Sequence, residues 1–174
     1  LAKAVYSASR ERSLGLGAMG FHAYLQRHNI PFESASAKGA NMKMFQHIKW
    51  RAVNATKQLA EERGECPDGV GYGVRNAHLL AVAPNASSSI ICGNTSPSIE
   101  PYRANAFTQK TKSGSSLLKN EYLEHVLQEL DQDTDEVWKS IITNNGSVQH
   151  LDFLDEWTKD VFKTAVEIDQ KWII

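Results

Sequence analysis

The sequence predicts a helix-rich α/β fold with few strands, and three observations support this class. Apolar residues recur at the helical period along residues 37–63, which indicates a long amphipathic helix. A single short apolar run, residues 79–83, ends at Pro84 and predicts one buried strand. Residues 120–130, 134–143 and 151–173 carry three further helical patterns. We therefore expect a core built mainly from helix faces.

Two helices are predicted before the long one. Residues 2–11 and about 16–28 both have helical patterns, and Pro31 enforces the break after the second. For the long helix, Ser34 or Ser36 is a suitable N-cap. Gly64 is a suitable residue to follow the last turn.

Loops and one hairpin complete the predicted elements. Residues 65–76 are rich in Gly and predict a loop, and a second loop rich in Ser, Asn and Gly runs from Pro84 to about residue 98. The segment 107–118, with Ser113-Gly114-Ser115 near its middle, predicts a β-hairpin. In the final helical pattern an apolar stripe runs from Phe153 to Trp172.

Composition restricts the possible partners. The 174 residues include 19 Lys and Arg against 20 Asp and Glu, a formal net charge of −1, so no nucleic-acid footprint is expected. No apolar run is long enough to cross a membrane and no leader opens the chain, which predicts a cytoplasmic protein without a membrane partner. The chain begins at Leu1 without Met and stops at Ile174 inside an apolar pattern. We expect residues 1–174 to be a single segment of a longer protein, incomplete at both ends.

A glycine-rich motif suggests a nucleotide cofactor but lacks the necessary context. Residues 15–20, GLGAMG, match the dinucleotide-binding pattern G-x-G-x-x-G. That site also needs a strand immediately before the glycines and an acidic residue about 20 positions later. Residues 7–13 cannot form a buried strand, and residues 36–44 contain no Asp or Glu. We interpret the glycines as sites of close packing at the start of a helix.

Histidine and cysteine give no predicted metal or redox site. The six histidines form no H-x-x-x-H pair and no cluster with cysteine. Cys66 and Cys92 have no neighbouring His or Lys in the sequence to activate them, so both are expected to be inert thiols.

The segment that follows Pro84 is the strongest candidate for binding chemistry. Asn85 or Ser87 is suited to cap a short helix whose first N–H groups point outward. The small side chains of residues 86–89 leave room for a phosphate at the backbone, and their hydroxyls add donors. A capped helix start that binds no ligand remains the alternative.

Here the sequence resembles a known family. Residues 80–89, LAVAPNASSS, and 93–102, GNTSPSIEPY, resemble the phosphate-loop region of class I ribonucleotide reductase large subunits, with Pro97 and Ser98 as two extra residues before Ile99. Residues 12–21, RSLGLGAMGF, resemble the family's R-x-L-G-[IL]-G helix entry, and residues 64–67, GECP, fit the spacing between these motifs. Within the family, the sequence resembles the T4-like bacteriophage enzymes.

The resemblance implies a segment of a ten-stranded α/β barrel that reduces ribonucleoside diphosphates to deoxyribonucleoside diphosphates for DNA synthesis. Matched by position, the residues implied to hold the substrate diphosphate are Pro84, Asn85, Ala86, Ser87 and Ser88. Many bacterial members have Ser-Glu-Thr-Ser after the proline, so Ala86 departs from the pattern and offers only its backbone.

The resemblance also implies what lies elsewhere. The family's radical and redox cysteines, its paired tyrosines and its ATP-binding effector sites fall outside the matched positions, so no catalytic residue and no cofactor is expected in this segment and the chain alone is expected to be inactive. The implied partners are the ribonucleoside diphosphate, the remaining parts of the large subunit and a radical-generating metallo small subunit, with thioredoxin or glutaredoxin as reductant. The competing interpretation is a non-enzymatic helical interaction module with a Ser-rich helix cap.

Overall fold

A computed structural model describes residues 1–112 and 114–173 of the chain. The helices within these residues are α1 (Ala2–Glu11), α2 (Phe21–Arg27), α3 (Ala35–Arg63), α4 (Ala86–Ile91), α5 (Glu121–Glu129), α6 (Asp135–Thr143) and α7 (Glu156–Val161). The strands are β1 (Ala106–Thr111) and β2 (Gly114–Lys119), and short 3-10 helices cover Pro67–Gly69 and Gln170–Trp172. The architecture is helix-rich with a two-stranded sheet over the described residues, as predicted in class.

Internal contacts divide the chain into two compact units. One comprises Leu1–Ala18 with Gly39–Ala83, and the other comprises Met19–Lys38 with Pro84–Ile174. The prediction that residues 1–174 form a single segment of one larger domain stays a prediction.

The first unit is organised around α3. The predicted long helix is confirmed, and Gly64 follows it with a left-handed φ of 81°, a conformation that glycine adopts without steric cost. The Arg75 guanidinium donates to the carbonyl oxygens of Arg63 (2.6 Å) and Gly64 (3.0 Å), which satisfies the carbonyl end of the helix. Buried Thr56 accepts the backbone N–H groups of Arg75 and Asn76 through its hydroxyl, so the loop folds back onto the helix.

The predicted helix at 16–28 is wrong in its first part. Its helical portion, α2, begins only at Phe21. The N–H groups of Leu14 and Leu16 donate to the carbonyl oxygens of His78 (2.9 Å) and Leu79 (3.0 Å), so this segment is extended and cannot also make helical hydrogen bonds. Gly20, with a φ of 85°, occupies the N-cap position of α2 and separates the two conformations.

The predicted buried strand at 79–83 is also wrong. Only one isolated parallel bridge, Leu16 with Leu80, forms there within the described residues. Leu80 and Val82 are 39% and 68% exposed, so the apolar run is not covered. The segment is apolar, as its sequence shows. Whether such a segment pairs and becomes buried as a strand depends on which other segments pack beside it, and a local pattern does not contain that information.

The second unit holds the main apolar core. Helices α5 and α6, predicted at about 120–130 and 134–143, are confirmed. The Asn120 side chain accepts the Tyr122 N–H, and the Thr134 hydroxyl accepts the Val137 N–H, so both helices have side-chain N-caps. The core residues are Ala106, Leu123, Leu127, Trp138, Ile141, Val148, Leu151, Leu154, Val161 and Phe162.

A buried amide network crosses this core. The Asn120 amide donates to the side-chain oxygens of Gln26 (2.8 Å) and Asn105 (3.0 Å). The Asn105 amide in turn donates to the carbonyl oxygens of Phe162 (2.8 Å) and Gly146 (3.0 Å). Because Asn105 and Asn120 are almost fully buried and hydrogen-bonded, the network fixes how the hairpin, α2 and the end of α7 meet.

The predicted hairpin is confirmed, whereas the predicted closing helix is wrong in length. Strands β1 and β2 pair antiparallel, with Phe107 opposite Leu118. The turn serine at position 113 lies outside the described residues. In place of a helix over 151–173, only α7 and the 3-10 helix Gln170–Trp172 form within residues 151–173. The Glu167 carboxylate accepts the Thr164 N–H and hydroxyl (2.7 and 2.8 Å), a local turn that takes the backbone out of the helical path.

Candidate functional site

The candidate segment, residues 84–88, forms the start of α4. Asn85 is the N-cap residue, with a left-handed φ of 48°, and its carbonyl oxygen accepts the Ser89 N–H at 2.9 Å to close the first turn. Pro84 is exposed immediately before this turn. The prediction that a short helix begins after Pro84, with Asn85 at its cap, is confirmed, although the Asn85 side chain makes no capping hydrogen bond.

The first residues of α4, Ala86, Ser87 and Ser88, are exposed, and their N–H groups have no acceptor among the described residues. These are the donors that a helix start leaves unpaired, and they carry partial positive charge. A bound anion is one of the ligands that such a group of amides can accommodate.

The hydroxyl groups in this segment differ in their availability. Within the described part of the chain, the Ser87 and Ser88 hydroxyls make no hydrogen bond to protein, so both remain available. The Ser89 hydroxyl donates to the Ala86 carbonyl oxygen at 3.1 Å, and the residue is 3% exposed. The donors at the helix start are therefore two hydroxyls and three amides, all on residues with small side chains.

The far end of α4 is joined to the segment that follows. The N–H groups of Cys92, Asn94 and Thr95 donate to the carbonyl oxygens of Ser88, Ile90 and Ser89. Asn94 has a left-handed φ of 57°, and its carbonyl oxygen accepts the Tyr102 hydroxyl at 3.2 Å. Asn94 and Tyr102 both lie in the motif at 93–102, but the motif does not predict their contact, because a turn brings them together.

The glycine motif is not a dinucleotide site. The residues before Leu14 form helix α1, so the strand that such a site requires is absent from this described segment. A Cβ atom at Gly15 would lie 3.1 Å from the Ala81 Cβ, and one at Gly17 would lie 2.5 Å from the Ala81 carbonyl oxygen. The close packing predicted for these glycines is confirmed: at Gly15 and Gly17 it joins two extended segments, whereas Gly20 is the N-cap of α2.

Other candidate chemistry is limited. Cys66 is buried and Cys92 is exposed, and both are free thiols. In the ranges 1–112 and 114–173, no three His, Cys, Asp or Glu side chains are grouped so as to hold a metal ion. No helix in those ranges combines the length and apolar character needed to span a bilayer.

Comparison with known proteins identifies the family. The sequence matches the family described as ribonucleotide reductase, barrel domain, over residues 1–69 and 68–174. The chain belongs to the ribonucleotide reductase family. This agrees with the resemblance carried by the motifs at 12–21, 80–89 and 93–102.

Relatives of this reductase family cover nearly the whole chain. A Frog virus 3 protein provisionally named ribonucleoside-diphosphate reductase large subunit is 54% identical over 99% of the chain. The ribonucleoside-diphosphate reductase large subunit of Invertebrate iridescent virus 6 is 49% identical over 100% of the chain. The solved alpha subunit of a class Id ribonucleotide reductase from Actinobacillus ureae matches 97% of the chain with a TM-score of 0.86 and 43% identity.

The chain is short beside these reductases. It spans 30% of the Frog virus 3 protein, 19% of the Invertebrate iridescent virus 6 protein and 30% of the Actinobacillus ureae subunit. The strands and the parallel bridge found within the described residues are thus a limited part of a ribonucleotide reductase barrel domain.

Proposed function

We propose that this chain is part of a ribonucleotide reductase catalytic large subunit that reduces ribonucleoside diphosphates to deoxyribonucleoside diphosphates, and that residues 84–88 bind the substrate diphosphate. The observation that carries the proposal is the exposed start of α4, where the N–H groups of Ala86, Ser87 and Ser88 have no acceptor among the described residues. The family match supplies the reaction and the open amides supply the binding chemistry.

The proposed binding mode uses neutral donors. A diphosphate carries several negative oxygens, and the amides at a helix start can donate to them without a basic side chain. The Ser87 and Ser88 hydroxyls add two donors that rotate to fit the oxygen positions. Ala86 contributes its amide alone, and its small side chain leaves space for the anion.

The remaining chemistry is proposed to lie outside this segment. Neither Cys66, which is buried, nor Cys92 is assigned a radical or redox role. The complete subunit would act with a radical-generating metallo small subunit, a thioredoxin or glutaredoxin reductant and ATP as effector, in a soluble, cytoplasmic holoenzyme. The ten-stranded barrel and the likeness to T4-like phage members also remain proposals.

The proposal is tested by placing a negative charge beside the amides. In the complete large subunit, we expect Ser87→Asp to raise the KM and Kd of a ribonucleoside diphosphate by at least about ten-fold, because two like charges a few ångströms apart repel. An acidic residue in the first turn favours the helix itself, so the melting temperature is expected to stay the same or rise.

The matched control is Ser87→Asn, which has nearly the same shape without the charge. We expect it to raise KM by about three- to ten-fold at most, the effect of one lost neutral hydrogen bond, so that any larger rise in Ser87→Asp reports the charge. If Ser87→Asp binds the diphosphate as tightly as Ser87→Asn does, the amides of α4 do not hold the substrate and the helix start is only a cap.

A further inference from the structure

We infer that Asn94 and Tyr102 are positioning residues that hold α4, and with it the amides of residues 86–88, in the geometry that binds diphosphate. The inference rests on the proposed function and extends it to two side chains that do not touch the proposed substrate site. It starts from the shortness of α4, whose six residues are too few to be stable without tertiary support.

Asn94 connects the end of α4 to two other parts of its unit. Its N–H donates to the Ile90 carbonyl oxygen at 3.1 Å, which continues the last turn of the helix. Its side-chain amide donates to the Lys119 carbonyl oxygen at 3.1 Å, at the end of β2. Its own carbonyl oxygen accepts the Tyr102 hydroxyl at 3.2 Å. Asn94 is therefore fixed by its backbone and by its side chain.

Tyr102 is itself held firmly. Its ring is 6% exposed and packs against the His22 ring at a centroid distance of 5.7 Å. Its N–H donates to Nδ1 of His22 at 3.0 Å, and its carbonyl oxygen accepts the Ala165 N–H at 2.8 Å. Because its backbone N–H and carbonyl are both hydrogen-bonded and its ring is packed, the Tyr102 hydroxyl has a defined position. Its hydrogen bond to Asn94 therefore restrains the position of Asn94.

The other side of this turn is held by the start of α2. The Ser96 carbonyl oxygen accepts the Gly20 N–H at 2.8 Å, and the Ser96 hydroxyl accepts the Ala23 N–H at 3.1 Å. Thr95 lies so close to Gly20 that a Cβ there would come within 2.7 Å of its hydroxyl oxygen. Residues 94–96 are thus hydrogen-bonded to α2 on one side and to Tyr102 on the other. The end of α4 is in turn hydrogen-bonded to Asn94 and Thr95.

The functional consequence follows from the geometry that anion binding requires. Donors must sit within about 0.5 Å of their required positions for several hydrogen bonds to form together. Loss of the Tyr102 hydroxyl or the Asn94 amide removes one restraint each while leaving the amides of residues 86–88 unchanged. The expected defect is therefore weaker diphosphate binding with the reaction step little altered.

The experiment uses the complete large subunit with its small subunit. Tyr102→Phe removes only the hydroxyl, and Asn94→Gly removes the side chain while tolerating the left-handed φ. We expect each variant to raise the ribonucleoside diphosphate KM and the inhibition constant of inorganic pyrophosphate about three- to ten-fold in parallel, the effect of one lost hydrogen bond. The kcat should change by less than about two-fold, because the reacting groups are untouched.

Two matched controls separate positioning from general loss of stability. Tyr122→Phe removes the hydroxyl of a second, partly buried tyrosine in the same unit, and Asn145→Gly replaces another asparagine whose φ is also 57°. Both are expected to leave KM and the pyrophosphate constant within about two-fold of the parent value, since no hydrogen bond within the described residues joins either of them to residues 94–96.

The outcomes distinguish the two proposals. If Ser87→Asp weakens diphosphate binding but Tyr102→Phe and Asn94→Gly do not, the positioning role is overturned and the proposed function stands. If Ser87→Asp has no effect either, the proposed function itself fails. An equal rise in KM in the Tyr122→Phe and Asn145→Gly controls overturns the positioning role, because the defect is then unspecific.

Discussion

At the scale of single residues, His22 shows how a buried polar group depends on one protonation state. The side chain is fully buried, and its Nδ1 accepts the Tyr102 N–H at 3.0 Å. The Phe32 ring packs against it at a centroid distance of 5.5 Å. Burial disfavours the charged imidazolium and lowers the pKa of His22 to about 4. Protonation of Nδ1 would also break the hydrogen bond from the Tyr102 N–H, because a protonated nitrogen cannot accept it.

This lowered pKa predicts a loss of stability in mild acid. The unfolded chain takes up the proton near pH 6.5 and the folded chain only near pH 4, so the free energy of unfolding falls as the pH drops through this window. We expect a loss of at most about 3 kcal/mol from this group, measured by urea unfolding of the chain between pH 7 and pH 4.

Substitution of His22 checks the assignment. His22→Gln should flatten the pH dependence of stability over this window, because glutamine does not titrate there. Hydrogen bonds from the Lys163 ammonium and the Asp169 N–H lower the pKa of Glu33 below its ordinary value of 4.5, so this carboxylate affects stability only at the lower edge of the window. An unaltered slope in His22→Gln would contradict the prediction.

The same scale shows what could be predicted of the candidate site. The helix start after Pro84 is predictable, because a proline followed by small polar residues is a local pattern that favours it. The substrate role of residues 84–88 comes from the family resemblance and stays a proposal. The link from Asn94 to Tyr102 was not predictable, since it needs the left-handed φ of Asn94 and the burial of Tyr102 against His22. Those contacts are tertiary, and no repeating pattern in the sequence signals them.

At the scale of elements, predictions held where the signal was local. Helix α3 has two local end signals, a Ser34 hydroxyl that accepts the Ala37 N–H and Gly64 after the last turn. The predicted helical start at residue 16 and the predicted buried strand at 79–83 are both wrong. The segments 14–17 and 79–83 hydrogen-bond to each other, and such pairing between distant parts of the sequence is not visible in a local pattern. In 151–173 the apolar residues Leu154, Val161 and Ile168 are buried, as their spacing indicates. They reach the core through turns and short helices, because one continuous helix does not form there.

Two glycines in the first unit give a matched prediction at this scale. Gly17→Ala would bring a Cβ within 2.5 Å of the Ala81 carbonyl oxygen, and we expect it to cost about 1–3 kcal/mol through forced displacement of the paired segments. Gly39→Ala lies inside α3 with nothing within 4 Å of the new Cβ, and should stabilise the chain by about 0.5–1 kcal/mol. Urea unfolding of both variants tests the difference. Equal effects would show that the approach of Gly17 to Ala81 is not a packing constraint.

At the scale of the whole molecule, apolar side chains remain on the surface of the first unit. Leu14, Leu16, Leu80 and Val82 are each more than a third exposed. Leu16 and Leu80 are bridge partners, and side chains two positions apart in an extended segment point the same way, so the four share one face. Soluble monomers rarely leave such a face open beside unpaired strand edges. We propose that other parts of the large subunit cover it.

In isolation, the chain is therefore expected to self-associate through this face, because association buries the apolar area that would otherwise contact water. Light scattering of the unaltered chain should show a mass above that of the monomer, rising with concentration. Leu16→Lys combined with Val82→Lys should return it to a monomer, since two charges on one face oppose its burial. Val166→Lys is the control, because Val166 is a highly exposed apolar residue of the second unit and its replacement should leave the association intact. A monodisperse monomer of the unaltered chain would show that the exposed face does not drive association.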